Sequence, residues 1–185
     1  MRADRSASRR DAWVTVAAFV GLVAWDASGL DLELTRWIAT PTGFPWRDSF
    51  LASRVLHDGG RAFGWVIFAL LAFDAFRPQL AGPTRGERLH ALGTVLVAVV
   101  LVPMLRRFSS TSCPWELAEF GGRSAYVPHW LLGVTDGGPG HCFPSGHAVA
   151  AFAFFGVYFL WRRHRPAVAR AALAVVLALG IAFGW

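Results

Sequence analysis

The sequence predicts an all-α membrane protein, a bundle of transmembrane helices, on three observations. Apolar residues make up 55% of the 185 residues and charged residues 16%, against about 45–50% and about 25% in average chains. Long apolar runs recur, and they are apolar on all sides rather than along one stripe. The arginines sit at the ends of these runs, where their side chains reach the lipid head groups.

Five apolar runs are predicted to cross the membrane within a single domain covering residues 1–185. A span takes about 20 apolar residues, in a range of about 17–25. Several runs are shorter, which also allows buried helices of a soluble protein. Tryptophans near the run ends favour the membrane, because they form interfacial belts. The runs are Trp13–Leu30, Ala62–Phe76, Ala91–Leu105, Ala148–Trp161 and Ala171–Trp185.

The arginines also predict the side of the membrane that each connection occupies. Arginine-rich segments precede the first run as a tail, residues 1–11, and follow the second and fourth runs. Alternation puts these segments on one side, which the positive-inside rule assigns to the cytoplasm. Residues 31–61 and 106–147 are then extracytoplasmic loops. Within the first loop, residues 46–61 are expected to form a short helix on the bilayer surface or a lid over a site.

The formal charge of +6 does not indicate a nucleic-acid partner. All the basic residues are arginines, most of them at or near the ends of apolar runs, whereas nucleic-acid binding needs a basic face with interleaved aromatic residues. Asp26 and Asp74 lie near run ends, where solvated residues are expected. His129 and His141 lack the close ligand spacing of a metal site. We therefore predict solvated loop histidines and no bound metal.

A glycine-rich segment, residues 137–147, runs directly into the fourth apolar run. Pro144 and Ser145 suit the cap and first turn of a helix, whose backbone N–H groups and dipole attract anions. Gly146 allows close approach of a phosphate, Ser145 adds a hydroxyl, and His147 can protonate a leaving oxygen near neutral pH. The alternative is a plain helix cap, but the four-residue block favours an anion site.

An arginine pair, Arg106 and Arg107, lies at the other end of this loop. Arginine binds phosphate oxygens through two parallel hydrogen bonds. By position alone both residues would simply end a span at the interface. The loop joins them to His147 on the same predicted face, so both become candidate phosphate-binding residues.

These residues resemble the motifs of the type-2 phosphatidic acid phosphatase superfamily, which also includes soluble acid phosphatases and vanadium haloperoxidases. The second family motif, Pro-Ser-Gly-His, matches Pro144 to His147 residue by residue. The first, Lys, six residues, then Arg-Pro, is kept in spacing by Arg106 and Cys113-Pro114. Arg106 can replace the lysine, but Cys113 cannot replace the arginine. We expect Arg107 or Arg123 to supply the missing charge.

The third family motif, Ser-Arg, five residues, His, three residues, Asp, does not occur in residues 1–185. The family has six spans, and this motif follows the fifth. We therefore expect a sequence truncated before the motif, with five spans present; the alternative is a degenerate, inactive member. The Cys-Pro-Trp of the first motif and a His57-Asp58-Gly59-Gly60-Arg61 block resemble a bacterial subgroup, which implies the inner (cytoplasmic) membrane.

The resemblance implies a membrane phosphatase that acts on a lipid phosphate or pyrophosphate without metal or cofactor. The histidine of the third motif would attack phosphorus and form a phosphohistidine, and His147 would be the general acid. Arg106, Arg107, Ser145 and Gly146 would bind the phosphate. A lipid phosphotransferase and a non-catalytic membrane protein remain alternatives. The lipid and the oligomeric state stay open.

The resemblance also bears on the cysteines of the second loop. Cys113 and Cys142 lie next to the first and second motifs, which in the family converge on one phosphate. The outside of a bacterial inner membrane is oxidising. We therefore hypothesise a Cys113–Cys142 disulfide.

Overall fold

The structure, a computed structural model, describes residues 5–131 and 133–184, and the regular structure in these ranges is helical. The only β-contacts among the described residues are isolated bridges, such as Thr40 with Gly43. The predicted all-α class is confirmed. The chain divides into a loop unit, Met1–Phe44 and Ser110–Gly140, and a bundle unit, Pro45–Ser109 and His141–Trp185.

Seven α-helices are described, and four helical segments are long and apolar enough to cross a membrane. These segments are Ser6–Ser28, Leu51–Phe76, Arg85–Arg107 and Pro166–Gly184. The α-helices are α1 (Arg5–Ser28), α2 (Leu30–Ile38), α3 (Gly60–Phe76), α4 (Arg85–Arg107), α5 (Gly146–Phe152), α6 (Gly156–Trp161) and α7 (Pro166–Gly184).

The fourth predicted span, Ala148–Trp161, differs from the other four. It belongs to a shorter apolar helix, Gly146–Trp161, in which a 3₁₀ turn at Ala153–Phe155 joins α5 to α6. At about 1.5 Å per residue this helix falls short of the ~30 Å hydrocarbon core. Ala153, Phe154 and Trp161 of this helix are buried in the bundle unit, and its role as a span stays a prediction.

The predicted surface helix at residues 46–61 is not a separate element. Leu51–Gly59 forms a π-helix that continues directly into α3. Gly59 and Gly60 both keep right-handed helical backbone angles, so the chain does not turn at the glycine pair. The second apolar segment therefore begins earlier than predicted, and it carries residues 51–59 as its first turns.

Close helix contacts in the bundle unit depend on glycine. A Cβ at Gly60 would lie 2.7 Å from the Phe183 ring, and a Cβ at Gly180 would lie 2.2 Å from the Phe152 ring. Small residues at such crossings let apolar helices approach closely, which is the usual source of packing energy between membrane helices. α5 and α6 are held in this way against α7 and α4.

A buried ion pair joins the end of α3 to the start of α4. Arg88 is 2% exposed, and its guanidinium donates to the Asp74 carboxylate and, at 3.1 Å, to the Pro83 carbonyl. Trp161 covers the guanidinium, 5.4 Å from its ring centroid. The expectation that Asp74 is a solvated end residue is therefore wrong, because a buried arginine requires a partner.

The loop unit folds its long connection onto α2. Arg36 donates to both oxygens of Glu119, at 2.5 and 3.1 Å, and Tyr126 donates to Asp31 at 3.0 Å. Within the connection, Asp136 is buried and accepts hydrogen bonds from the backbone and hydroxyl of Ser112 and from the Gly138 backbone. This connection has little regular secondary structure. Its buried polar groups are satisfied by these side-chain hydrogen bonds instead.

Candidate functional site

The Pro-Ser-Gly-His segment begins α5, as predicted for a cap at the start of a helix. Ser145 is the N-cap residue: its backbone is extended, and its Oγ accepts a hydrogen bond from the Ala148 N–H at 3.3 Å. Accepting this bond leaves the hydroxyl hydrogen free to donate. Gly146 and His147 form the first turn of the helix. The hydroxyl and the first backbone N–H groups therefore lie at one end of the helix.

Arg106 lies in the last turn of α4 and contacts this segment. Its Nε donates to the His141 carbonyl at 2.6 Å. A Cβ at Gly146 would lie 2.8 Å from Arg106 Nη1, so the guanidinium fills the space that any larger residue would need. The structure thus brings Arg106 to the consecutive residues Ser145, Gly146 and His147, which are far from it in sequence, within the bundle unit.

His141 contributes its backbone rather than its ring to this arrangement. Its φ is 61°, a left-handed conformation that is uncommon outside glycine. Its N–H donates to the Ser109 carbonyl at 2.9 Å, while its carbonyl accepts from Arg106. The ring is exposed, as predicted. The strained turn therefore ties the loop to the end of α4 and orients the Arg106 side chain.

His57, which was not predicted as a site residue, lies beside His147. The ring centroids are 4.5 Å apart and the rings are tilted by 58°. His57 Nδ1 lies 2.9 Å from the Asp58 carboxylate. The only sequence signal was the resemblance of the His57-Asp58 block to a bacterial subgroup. Spacing gave no signal, because His57 and His147 lie in distant segments.

Two other candidate arginines, Arg107 and Arg123, have exposed side chains. Arg107 is exposed, and in residues 5–131 and 133–184 its side chain has no observed hydrogen bond or ion pair. Arg123 belongs to the loop unit and is also exposed. A role for either residue in phosphate binding stays a prediction.

Neither cysteine is free in the described structure. Cys113 and Cys142 are both disulfide-bonded. They belong to the loop unit and the bundle unit respectively. That a Cys113–Cys142 disulfide supports the site stays a prediction.

Asp26, Asp31 and His129 gather in the loop unit, with their ligand-type atoms within 4.8 Å of one another. His129 Nδ1 lies 2.7 Å from Asp26, which also accepts the Trp130 N–H at 2.9 Å. Burial and the Asp31 carboxylate raise the pKa of the neighbouring Tyr126 to about 12. Neither Asp26 nor His129 is a solvated residue, contrary to expectation. Hydrogen bonds from His129, Trp130 and Tyr126 satisfy the carboxylates of the cluster.

A comparison with protein-family models matches the PAP2 superfamily over residues 87–185. This range is more than half of the 185-residue chain. The chain belongs to the PAP2 superfamily. Comparisons with curated proteins and with solved structures found no match.

The PAP2 match includes Arg106 and the whole Pro-Ser-Gly-His segment, whereas His57 lies outside it. Membership supports a phosphatase-type function in general. Partial burial of the ring, followed by the nearby His57 and Arg106, lowers the pKa of His147 from its ordinary value of 6.5. A phosphate dianion bound beside these groups would act against this shift.

Proposed function

We propose that the protein is a membrane phosphatase that removes phosphate from a lipid phosphate or pyrophosphate at the extracytoplasmic face. The contact of the Arg106 guanidinium with the backbone at Gly146, directly before His147, carries this proposal. A phosphate-binding cation and a candidate general acid thereby lie side by side. PAP2 membership supports phosphatase chemistry in general.

Each side chain has a distinct role in the proposed site. Arg106 donates to the phosphoryl oxygens, with its direction set by the bond from Nε to the His141 carbonyl. Ser145 donates its hydroxyl hydrogen, and the backbone at Gly146 approaches the phosphate closely because it has no Cβ. These donors stabilise the charge on the transferring phosphoryl group. His147 protonates the oxygen that leaves.

The reaction we propose has two steps. A histidine nucleophile attacks phosphorus, the bond from phosphorus to the lipid oxygen breaks, and His147 donates a proton to that oxygen. Water then attacks the phosphohistidine, the P–N bond breaks, and His147 takes the proton from water. The products are the dephosphorylated lipid and inorganic phosphate. The resemblance assigns the nucleophile to the third motif, which does not occur in residues 1–185.

The lipid character of the substrate follows from the surroundings of the site. Arg106 ends one segment that is apolar and long enough to cross a membrane, and His147 begins a shorter apolar helix. A lipid can keep its tail in the bilayer while its phosphate reaches such a position. The positive-inside distribution of arginines supports the extracytoplasmic side.

The proposal is tested by product analysis with the full-length protein in liposomes. Phosphatidate, phosphatidylglycerol phosphate and a polyprenyl pyrophosphate are each supplied, and free phosphate and lipid products are measured together. We expect one molecule of phosphate for each lipid dephosphorylated. Transfer of phosphate to a second lipid without free phosphate would instead indicate a phosphotransferase. No conversion of any lipid phosphate would contradict both activities.

A further inference from the structure

His57 is held beside the site by its own neighbours in sequence. Its Nδ1 lies 2.9 Å from Asp58 Oδ1, and Asp58 Oδ2 lies 3.2 Å from Arg54 Nη1. A carboxylate accepts a hydrogen bond but cannot donate one. Nδ1 therefore carries a hydrogen, and Nε2 is the ring nitrogen left for a ligand.

This ion-pair chain does not serve stability. The side chains of His57, Asp58 and Arg54 are 49%, 52% and 71% exposed, and ion pairs this exposed contribute little to folding. The residues lie in the π-helix Leu51–Gly59, a helix type that is rare and frequent at functional sites. A carboxylate bonded to one ring nitrogen is also the usual device for fixing the tautomer and direction of a functional histidine.

The position of His57 points to the same ligand as Arg106 and His147. Its ring centroid is 4.5 Å from that of His147, and both rings belong to the bundle unit and are exposed. Two imidazoles and a guanidinium at one exposed place suit a group with several anionic oxygens. A phosphate monoester or diphosphate has this character.

We propose that His57 is a second histidine of the phosphate site, donating from Nε2–H to a phosphoryl oxygen while Nδ1–H donates to Asp58. This inference rests on the proposed function and adds a residue outside the matched family range. His57 binds the phosphoryl group as an imidazolium, and Asp58 stabilises that charge. His147 keeps its separate role as the proton donor.

The test uses binding of inorganic phosphate to the full-length protein, measured by titration calorimetry. Losing a hydrogen bond to a charged group weakens binding about 10- to 100-fold, which is the loss expected for His57→Ala and for Arg106→Ala. His57→Gln, whose amide reaches the position of Nε2, should retain binding within about fivefold. His57→Asn reaches only the position of Nδ1 and should bind as weakly as alanine. His90→Ala, in α4, is the matched control and should bind like the wild type.

The outcomes separate the inference from the proposed function. If His57→Ala and His57→Asn bind phosphate like the wild type while Arg106→Ala does not, the role of His57 is overturned and the phosphatase site stands. If the wild type does not bind phosphate, or no variant weakens binding, both are overturned. If the alanine variant does not fold, the glutamine and asparagine variants decide, since equal affinity of these two would also overturn the inference.

Discussion

Gly146 shows how one missing side chain builds the site. Arg106 Nη1 lies only 2.8 Å from the position that a Cβ at Gly146 would take. Because the obstructing atom is the tip of a flexible side chain, the helix can accept a larger residue by displacing that tip. The cost then falls on phosphate binding rather than on folding.

We therefore expect Gly146→Ala to fold but to lose about 10- to 100-fold in kcat/KM for phosphate release, as for the loss of one charge-assisted hydrogen bond. The matched control is Gly93→Ala in α4, where a Cβ meets nothing within 4 Å. The two variants should have similar melting temperatures. Equal activity of the two would contradict the placement of Arg106.

Asp136 offers a second residue-scale prediction, on the loop unit. Burial alone would raise the pKa of Asp136, but hydrogen bonds from Ser112 and Gly138 outweigh it and hold the pKa below its ordinary value of 3.8. The carboxylate therefore stabilises the fold above that value, and this contribution is lost as the pH falls through the lower pKa of the folded state.

Asp136→Asn should accordingly reduce the free energy of unfolding by about 1–3 kcal/mol at pH 7. The deficit should shrink between about pH 5 and pH 2. Thermal melting across this range measures it, with the exposed Asp48→Asn as control. A deficit that does not change with pH would show that the charge of Asp136 is not responsible.

Single residues also mark the limit of prediction from sequence. Arg106 and His147 were predicted as partners because one loop joins them and both match motif positions. His57 was not predicted as a partner of His147. The two histidines lie in distant segments, and nothing in the sequence around a single histidine indicates which distant residue it contacts. Asp26 and Asp74 were expected to be solvated, because sequence does not show the His129 ring or the buried Arg88 that they meet.

At the scale of elements, the Asp74–Arg88 pair fixes the turn between α3 and α4. The start of α4 is also held by a capping box, in which Thr84 Oγ1 accepts from the Glu87 N–H and the Glu87 carboxylate accepts from the Thr84 N–H. The pair and the box together set where α4 begins. The last turn of α4 carries Arg106. The residue at which the helix begins therefore determines where the Arg106 guanidinium lies.

Asp74→Asn should destabilise the protein by about 3–5 kcal/mol, because it leaves the charge of the buried Arg88 uncompensated. Arg85→Ala is the matched control, since Arg85 is an exposed arginine on the same turn and should cost little. Melting in detergent compares the two variants. A similar small effect of both would contradict a buried ion pair at this turn.

The sequence predicted the positions of the helices correctly where a long apolar run defines them. It did not predict where a helix begins when this depends on the backbone conformation of a few residues. All five apolar runs are helical over their described residues except at Gly29, the turn between α1 and α2. Residues 46–61 were predicted to form a separate surface helix or a lid, but residues 51–59 continue into α3 through two helical glycines, since glycine permits a turn without requiring one. The fourth predicted span, Ala148–Trp161, is helical but belongs to a shorter helix than the other four, so its crossing of the membrane stays a prediction.

For the whole molecule, the two cysteines give a prediction about their oxidation state, disulfide or free thiol. Both are disulfide-bonded in the structure, which is expected for loops on an oxidising side of the membrane. Protein purified without reductant and then denatured should contain no free thiol. Two free thiols per chain would contradict the disulfide.

The central claim is that the cluster around Arg106 and His147 hydrolyses a lipid phosphate. The most direct measurement is the rate of phosphate release by the full-length wild type and His147→Ala in liposomes, with equal membrane insertion verified for both. Loss of a general acid should lower the rate about 10²- to 10⁴-fold, while the control His129→Ala stays near the wild-type rate. Wild-type turnover by His147→Ala would contradict the assigned role of His147 and the proposed site.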